Sequence, residues 1–580
     1  MPKQPLLDRF LSFAAKAHAS RQLSRFKRAV QNAQREQDRV LRSLIARNGR
    51  SDFGREHGFR QIRTYADFAR QIPVQSYENL RPYIERVMRG ETSALFGPRS
   101  RVHMFAVTSG TTDKPKYIPV TDAFLSEYRR GWNVFGLAAL LDHPTAILRP
   151  ILQVTSSMDD HRTEAGIPCG AISGLLAATQ KRLVRKYYVT PPVTAKIADP
   201  ESRYYTIMRL ALTRDVGWMI TASPATQLQL AKTAAMHAER LIRDIRDGTL
   251  TPPGDISADV RASLGARLAA DAATAKRLHG LAERYGEFLP KHYWKISLLS
   301  NWTGGTMGLH LREFSHYFGE SPVRDIGLLA TEGRVSIPME DGTPAGVLDV
   351  CGAFFEFAET DDATGKSADD VGAGEEAVDP ASVRRCHELV TGRTYRIIMT
   401  NAAGLYRYDL GDHVRVHGFM GQAPIIEFLH RGSHTCSMTG EKLTEWQVLR
   451  AFETACDGGA HVTPLFVLAP VWDDPPRYRL YLEGPSPAAE EFARRFDLAI
   501  GDLNVEYASK RSSGRLGCVD PILLPPVALA HMNEERRRGR GSSNEQFKHR
   551  YLLGKPGDDA ALWAVCRLHL SRPAPLQSRF

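Results

Sequence analysis

At 580 residues the chain exceeds what one hydrophobic core accommodates, so two or more structural units are expected. Apolar residues at 43%, charged residues at 24%, 46 glycines and 34 prolines describe a folded globular protein and exclude collagenous, coiled-coil and disordered chains. The net charge of +11 invites a nucleic-acid partner, but residues 1–50 hold twelve Lys/Arg against three Asp/Glu, so nearly all of the excess sits at one end.

That end reads as amphipathic helices. Leu6, Phe10 and Phe13, then Phe26, Val30, Ala33, Val40 and Leu44, recur at helical spacing and leave a solvated basic face. No nucleic-acid partner is therefore expected. Asp8, Arg9 and Lys16 interrupt the apolar part, which is unlike a signal peptide. No stretch of ~18 uncharged apolar residues offers a membrane span. Seven scattered cysteines without a C-x-x-C pair read as free thiols of a reducing cytoplasm, where the chain is expected to act as a monomer.

Further along, the apolar run HMFAV leads into Thr108-Ser109-Gly110-Thr111-Thr112, followed by Lys114, Lys116 and YIPVT. Residues 122–142 read as a helix and Val216–Ile220 as a buried strand. Ser223-Pro224 opens a helix from about Ala225 to Arg246, and a second helical stretch covers about 258–285. From Trp294 come strands: WKISLLS, IGLLA ending at Thr331-Glu332-Gly333, and CGAFFEFAE. Eight acidic residues in 359–379 mark a surface insertion. Strands resume through GLYRYDLGDHVRVHGF and IIEFLHR. Beyond Ser433 the pattern restarts, with helices near 445–455 and 488–499 and strands near 463–467 and 478–483. The run Glu534–Gly541 (EERRRGRG) reads as a polar hinge or loop. The fold class is α/β. A large N-terminal domain, 1–432, has mixed sheets and flanking helices, and a smaller mobile α+β domain, 433–580, follows it.

Three segments carry chemistry. A hydroxyl- and Gly-rich loop after a strand, VTSGTTDKPKYIPVT, can aim N–H groups and hydroxyls at phosphate oxygens, although it lacks Walker A spacing. Glu332, at a strand end, stands where α/β sheets take ligands, and its carboxylate could hold Mg²⁺ bridging phosphates. Asp412, in a Gly-Asp turn, can accept both hydroxyls of a ribose. Each also has a plain structural reading as a turn or surface residue.

Together and in this order, they resemble the adenylate-forming superfamily of acyl-CoA synthetases and luciferases. Further segments resemble one branch, the auxin-responsive Gretchen Hagen family of acyl acid amido synthetases. These are FGREHGF, IPVQSYENLRPYIERVMRGE, FFEF at 354–357, LYRYDLGD at 405–412, P-x-x-E-F with a following Arg431, GEKLTE at 440–445, and Q-F-K-H-R at 546–550. The chain departs from the pattern at Asp113, where superfamily loops carry Gly, and at Lys548-His549-Arg550, where plant members tend to read Lys-Thr-Pro-Arg.

The resemblance implies an ATP-dependent ligase that adenylates a small carboxylic acid and passes the acyl group to an amine, an amino acid being the expected acceptor. The alternative acceptor is a thiol or hydroxyl, such as coenzyme A or a carrier protein. It implies that Ser109, Gly110, Thr111 and Thr112 cradle the phosphates, and that Thr331 and Glu332 hold the α-phosphate side and Mg²⁺. Asp412 grips the ribose, with Arg431 steadying the same region. Lys442 and Lys548 are the candidate cations for the two half-reactions, and the family pattern favours Lys548 as the mobile lysine. The C-terminal domain would act as a lid hinged near 431–440. The acyl acid would be bound by helices within about 122–230, where Arg129 and Arg130 could pair with a carboxylate.

Overall fold

The computed structural model describes residues 17, 20–21, 23–108, 115–180, 182–304, 307–360, 378–431, 435–439, 441, 443–456, 465–483, 489–540 and 549–570. The description below is confined to these. Up to Phe428 they form one compact unit, apart from 411–413, and from Leu429 onward they form a second.

The larger unit is an α/β body, in accord with the sequence. Its N-terminal helix Ala33–Asn48 buries Val40, Leu41, Leu44 and Ile45 and exposes Arg35, Arg39, Arg42 and Arg47, as the spacing predicts. Gln37 on the same buried face donates to the carbonyls of Val350 and Ala353, 2.7 Å each, and accepts from the Phe355 N–H. The strands Val102–Thr108 and Lys116–Thr121 form an antiparallel hairpin in which Thr108 faces Lys116. The Ser/Thr/Gly segment falls between the two strands, and its residues 109–114 lie outside the described residues. Thr121 caps the helix Asp122–Asp142 through a bond from the Phe124 N–H, so the helix begins where the sequence places it.

Two further sheets frame this unit. Ile151–Gln153, Trp218–Ile220, Leu298–Asn301 and Val323–Asp325 make a four-stranded parallel sheet in that order. A seven-stranded sheet runs 336–337, 346–348, 423–431, 408–420, 394–400, 354–359, 383–385. Phe354, Phe355 and Phe357 of the FFEF segment are fully buried in its core.

In the smaller unit, Phe466–Val471 pairs antiparallel with Arg477–Glu483, which pairs parallel with Asp520–Leu524. Helices Glu445–Cys456 and Ala489–Leu503 belong to the same unit, and Phe452, Phe492 and Phe496 are fully buried there.

Three sequence expectations need correction. The helix expected over 225–246 is two, Pro224–Met236 and Ala238–Asp247, broken at His237. The stretch 258–285 is likewise split, into Ala258–Leu264 and Ala272–Tyr285, with a 3₁₀ turn after the first. The run read as a hinge or loop at 534–541 is helical over 534–540, the end of the helix Ala528–Arg540, because Glu and Arg are good helix formers and one Gly costs only ~1 kcal/mol. The acidic insertion lies outside the described residues over 361–377. Among the described residues no helix is long and apolar enough to cross a membrane.

Candidate active site

Thr331 and Glu332 form the two-residue turn of a short hairpin in which Gly333 pairs with Ala330 and Arg334 with Leu329. Glu332 thus stands on a tight turn rather than at the end of a long strand, and it is only 4% exposed. The Asn401 side-chain amide donates to the Glu332 carbonyl at 2.6 Å, and its oxygen accepts from the Ala403 N–H at 2.9 Å. The Thr121 hydroxyl donates to the Ala402 carbonyl. Asn401 therefore ties the Glu332 turn to the loop that opens the strand Tyr408–Met420. Among the described residues the Glu332 carboxylate meets no hydrogen-bond donor and no cation.

Asp412 lies within that strand, not in a free turn. Burial alternates along it, so Tyr408, Leu410, Asp412, Val414 and Val416 occupy the buried register. Its carboxylate therefore shares that face of the strand with Leu410 and Val414.

The residues just before Leu410 are densely bonded. Arg407 adopts a positive φ of 45°, a left-handed conformation in which the Cβ of an L-residue crowds the backbone, and is almost fully buried. Its guanidinium meets both Glu356 oxygens at 2.9–3.1 Å and donates to the Ala69 and Ile72 carbonyls at 3.0 and 2.8 Å. Tyr65 donates to the same Glu356 at 2.9 Å. The IPVQSY segment joins here: the Gln75 N–H donates to the Arg407 carbonyl, and the Asp409 N–H to the Gln75 carbonyl, 2.9 Å each. At the loop end of the phosphate-loop hairpin, the Lys116 ammonium donates to the Tyr408 hydroxyl at 3.3 Å and lies over the Tyr77 ring. Two family-like segments distant in sequence are thus knitted around Tyr408.

Asp325 ends a strand at the carboxyl edge of the parallel sheet. It accepts from the Thr303 N–H and hydroxyl and the Gly327 N–H at 2.6–2.8 Å. Burial outweighs those bonds and pushes its carboxyl up to about 6.

Of the residues singled out in the sequence, Thr331, Glu332 and Asp412 are described, and Arg431 closes the strand Ala423–Arg431 by its backbone. Ser109, Gly110, Thr111, Thr112, Lys442 and Lys548 lie outside the described residues, as do residues 432–434 and 440 of the expected hinge. Asn401, Gln75 and Arg407 were not singled out by sequence; Asn401 follows a strand as part of a turn-like Asn-Ala-Ala-Gly, the one local signal it gives.

A cavity of about 570 Å³ opens along the helix Asp122–Asp142, lined by His103, Asp122, Arg129, Arg130, Asn133 and Thr179 among others. It sits by the start of the strand whose far end leads into the phosphate loop, a strand length of roughly 17–20 Å away. Arg129 bonds Thr179 there, and Arg130 lies 3.7 Å from Asp349. The expectation that these arginines meet a substrate carboxylate gains nothing from this geometry.

Comparison with known proteins then adds three matches in chain order: the GH3 family N-terminal domain over 22–323, the GH3 family central domain over 346–431 and the GH3 family C-terminal domain over 446–556. The jasmonoyl–L-amino acid synthetase JAR6 of Nicotiana attenuata is 23% identical over 554 residues, covering 92% of this chain and 93% of the relative. A probable indole-3-acetic acid-amido synthetase, GH3.12 of Oryza sativa subsp. japonica, is 25% identical over 566 residues, 90% and 92% of the two chains. Among solved structures, the AtGH3.15 acyl acid amido synthetase in complex with 2,4-DB superposes with a TM-score of 0.81 at 19% identity, covering 97% of each chain. A 2-hydroxyisobutyryl-CoA ligase in its postadenylation state follows the same fold more loosely, with a TM-score of 0.51 at 12% identity over 94% and 91% of the chains.

Proposed function

This chain belongs to the GH3 family, and from that premise we propose that it is an ATP-dependent ligase joining an acyl acid to an amino acid through an acyl-adenylate. The observation that carries the reading is Asp412, a carboxylate in the buried register of a central strand, in the segment where the family resemblance expects the ribose to be gripped.

A free carboxylate resists amines because its carbon is electron-rich and an oxide leaves poorly. Adenylation removes both obstacles. A substrate carboxylate oxygen attacks the α-phosphorus of ATP, the bond to the bridging oxygen breaks, and pyrophosphate leaves. The amine nitrogen then attacks the acyl carbon, the C–O bond to AMP breaks, and the nitrogen's proton is lost as AMP departs. In this reading the N–H groups and hydroxyls of Ser109, Gly110, Thr111 and Thr112 hold the phosphates. Thr331 and Glu332 align the α-phosphate, and Asp412 accepts from the ribose hydroxyls with Arg431 beside them. Lys548 stabilises charge developing in adenylation, and Lys442 serves the second half-reaction. Residues 1–432 bind the nucleotide and 433–580 carry the two lysines as a mobile domain.

Glu332 fits a divalent cation. It is a nearly buried oxygen ligand that meets no counter-charge among the described residues, and Mg²⁺ shared with phosphates needs only one or two carboxylates because water and phosphate complete its shell. Among the described residues no cluster of three ligating side chains offers a stronger site. The ion would supply charge neutralisation at the phosphates.

The amide acceptor is preferred over a thiol because the relatives of similar length are amino acid and amido synthetases by name. The protein is taken to act as a cytoplasmic monomer, which light scattering checks for the oligomeric state. The deciding experiment is a panel of carboxylic acids in acid-dependent ATP–pyrophosphate exchange, followed by product analysis with amino acids and with coenzyme A. An amide is expected; accumulation of a thioester with no amide from any amine would overturn the reading.

A further inference from the structure

The turn that carries Glu332 is short and is anchored at both ends. The strands Leu329–Ala330 and Gly333–Arg334 have two residues each, so their ladder alone gives the turn between them little stiffness. Arg334 pins the base, its guanidinium donating to the Ile326 and Ser336 carbonyls at 2.8 and 3.0 Å. Asn401 pins the tip, its Nδ2 donating to the Glu332 carbonyl at 2.6 Å. Gly333, directly after the turn, lies against Met399, two residues before Asn401; a Cβ there would stand 3.5 Å from the Met399 sulfur.

Asn401 is itself fixed. It is 2% exposed, its Oδ1 accepts the Ala403 N–H at 2.9 Å in an Asx turn, and its own N–H donates to the Leu405 carbonyl at 2.9 Å. The amide is planar, so once Oδ1 is committed to that turn the direction of Nδ2 is set as well. Its neighbours are tied in turn. The Ala402 carbonyl accepts from the Thr121 hydroxyl at 2.9 Å, and the Thr400 hydroxyl accepts the Arg407 N–H at 2.8 Å. Thr121 closes the strand Lys116–Thr121 and caps the helix that follows. The segment 400–405 is thus bonded to the end of that strand and to Arg407, and it reaches Glu332 through the Asn401 amide.

The Glu332 carboxylate, nearly buried, meets no donor and no cation among the described residues, so its direction follows from the main chain that bears it. We propose that Asn401 is a positioning residue for Glu332: by holding the carbonyl at the tip of the turn, it fixes the point from which the carboxylate reaches a cation shared with the phosphates. The inference rests on the reading of Glu332 as the Mg²⁺ ligand. Such a role is sensitive to small movements, since a misplacement of about 1 Å can cost ~10²-fold in rate.

The test compares wild type, Asn401→Ser, Glu332→Gln and the double variant. Serine can still accept the Ala403 N–H in the equivalent turn but is too short to reach Glu332. Each protein is titrated calorimetrically with α,β-methylene-ATP, which cannot release pyrophosphate, once in excess Mg²⁺ and once in EDTA. The ratio of the two affinities is what the ion contributes. Asn401→Ser is expected to cut that ratio at least threefold with the affinity in EDTA within about twofold of wild type, and the double variant to match Glu332→Gln alone. In ATP–pyrophosphate exchange at saturating ATP and Mg²⁺, Asn401→Ser should lower kcat at least tenfold. An Asn401→Ser that lowers Tm but keeps the wild-type ratio, or losses that multiply in the double variant, overturn the proposal. A wild-type ratio in Glu332→Gln overturns the reading of Glu332 together with the proposal, and so separates the two failures. Should Asn401→Ser not fold, Asn401→Asp takes its place and is read by the same criteria, because it keeps the shape and the Ala403 bond but sets an oxygen against the Glu332 carbonyl.

Discussion

Glu356→Gln is expected to destabilise the larger unit by about 3 kcal/mol. Glu356 and Arg407 are 1% and 3% exposed, and three contacts of 2.9–3.1 Å join them. Breaking a buried pair by removing one charge costs about 3–5 kcal/mol, because the surviving charge stays desolvated. Glutamine keeps an oxygen for Tyr65 or for one guanidinium N–H, and Arg407 retains the Ala69 and Ile72 carbonyls, which argues for the low end. Against a total of ~5–15 kcal/mol, that is a large fraction, about two decades in the folded-to-unfolded ratio. The positive φ of Arg407 adds a functional consequence. The ion pair holds a strained residue five positions before Asp412, so ATP affinity should fall along with stability. Urea titration followed by tryptophan fluorescence gives the stability change, and calorimetric titration with ATP gives the affinity. A midpoint shift worth under about 1 kcal/mol at unchanged slope would refute the argument that this pair is an uncompensated charge when broken.

Asp412→Asn should raise the dissociation constant for ATP roughly tenfold or more, since a hydrogen bond to a charged acceptor is worth about 1.5–3 kcal/mol. Wild type should prefer ATP to 2′-deoxy-ATP and the variant should not; equal discrimination in both puts the ribose elsewhere. Lys548→Ala should slow adenylation severely while leaving ATP affinity nearly intact, as expected of a group that acts on transition-state charge; a matching loss of affinity would make it a phosphate anchor. Burial pushes Glu127 up to about 7 despite Arg47 at 3.8 Å. A carboxyl raised in the fold contributes stability that is complete below its unfolded value near 4.5 and lost as pH climbs through about 7. Wild-type stability should therefore fall across that window by up to roughly 3 kcal/mol more than in Glu127→Gln, which thermal melts at a series of pH values measure.

What could be read from sequence follows from how local each signal is. The helix Asp122–Asp142 is set by residues within a few positions of one another, so local pattern exposes it, whereas Gly411-Asp412 has the composition of a turn and hid the continuous strand Tyr408–Met420. Glu332 and Asp412 stood out for the motifs around them. Their supports did not. Asn401 reaches Glu332 across 69 residues, and Gln75 meets Arg407 across more than 300, so nothing near either residue announces the contact. The helix Ala528–Arg540 was hidden for another reason: a polar, Arg-rich run has the composition of a loop, and what makes it helical is backbone propensity rather than pattern.

Gln37 also has a consequence for biosynthesis. Its side chain bridges partners 313 to 318 residues downstream, so the helix that carries it cannot complete its packing until Phe355 has left the ribosome. At ~5–20 residues per second that interval is about 16–60 s. Until then the apolar stripe of Val40, Leu41, Leu44 and Ile45, flanked by arginines, lacks the part of its packing that the strand Phe354–Glu359 supplies. N-terminal fragments that stop short of the FFEF strand should therefore bind an apolar-surface dye more strongly than the full-length chain does.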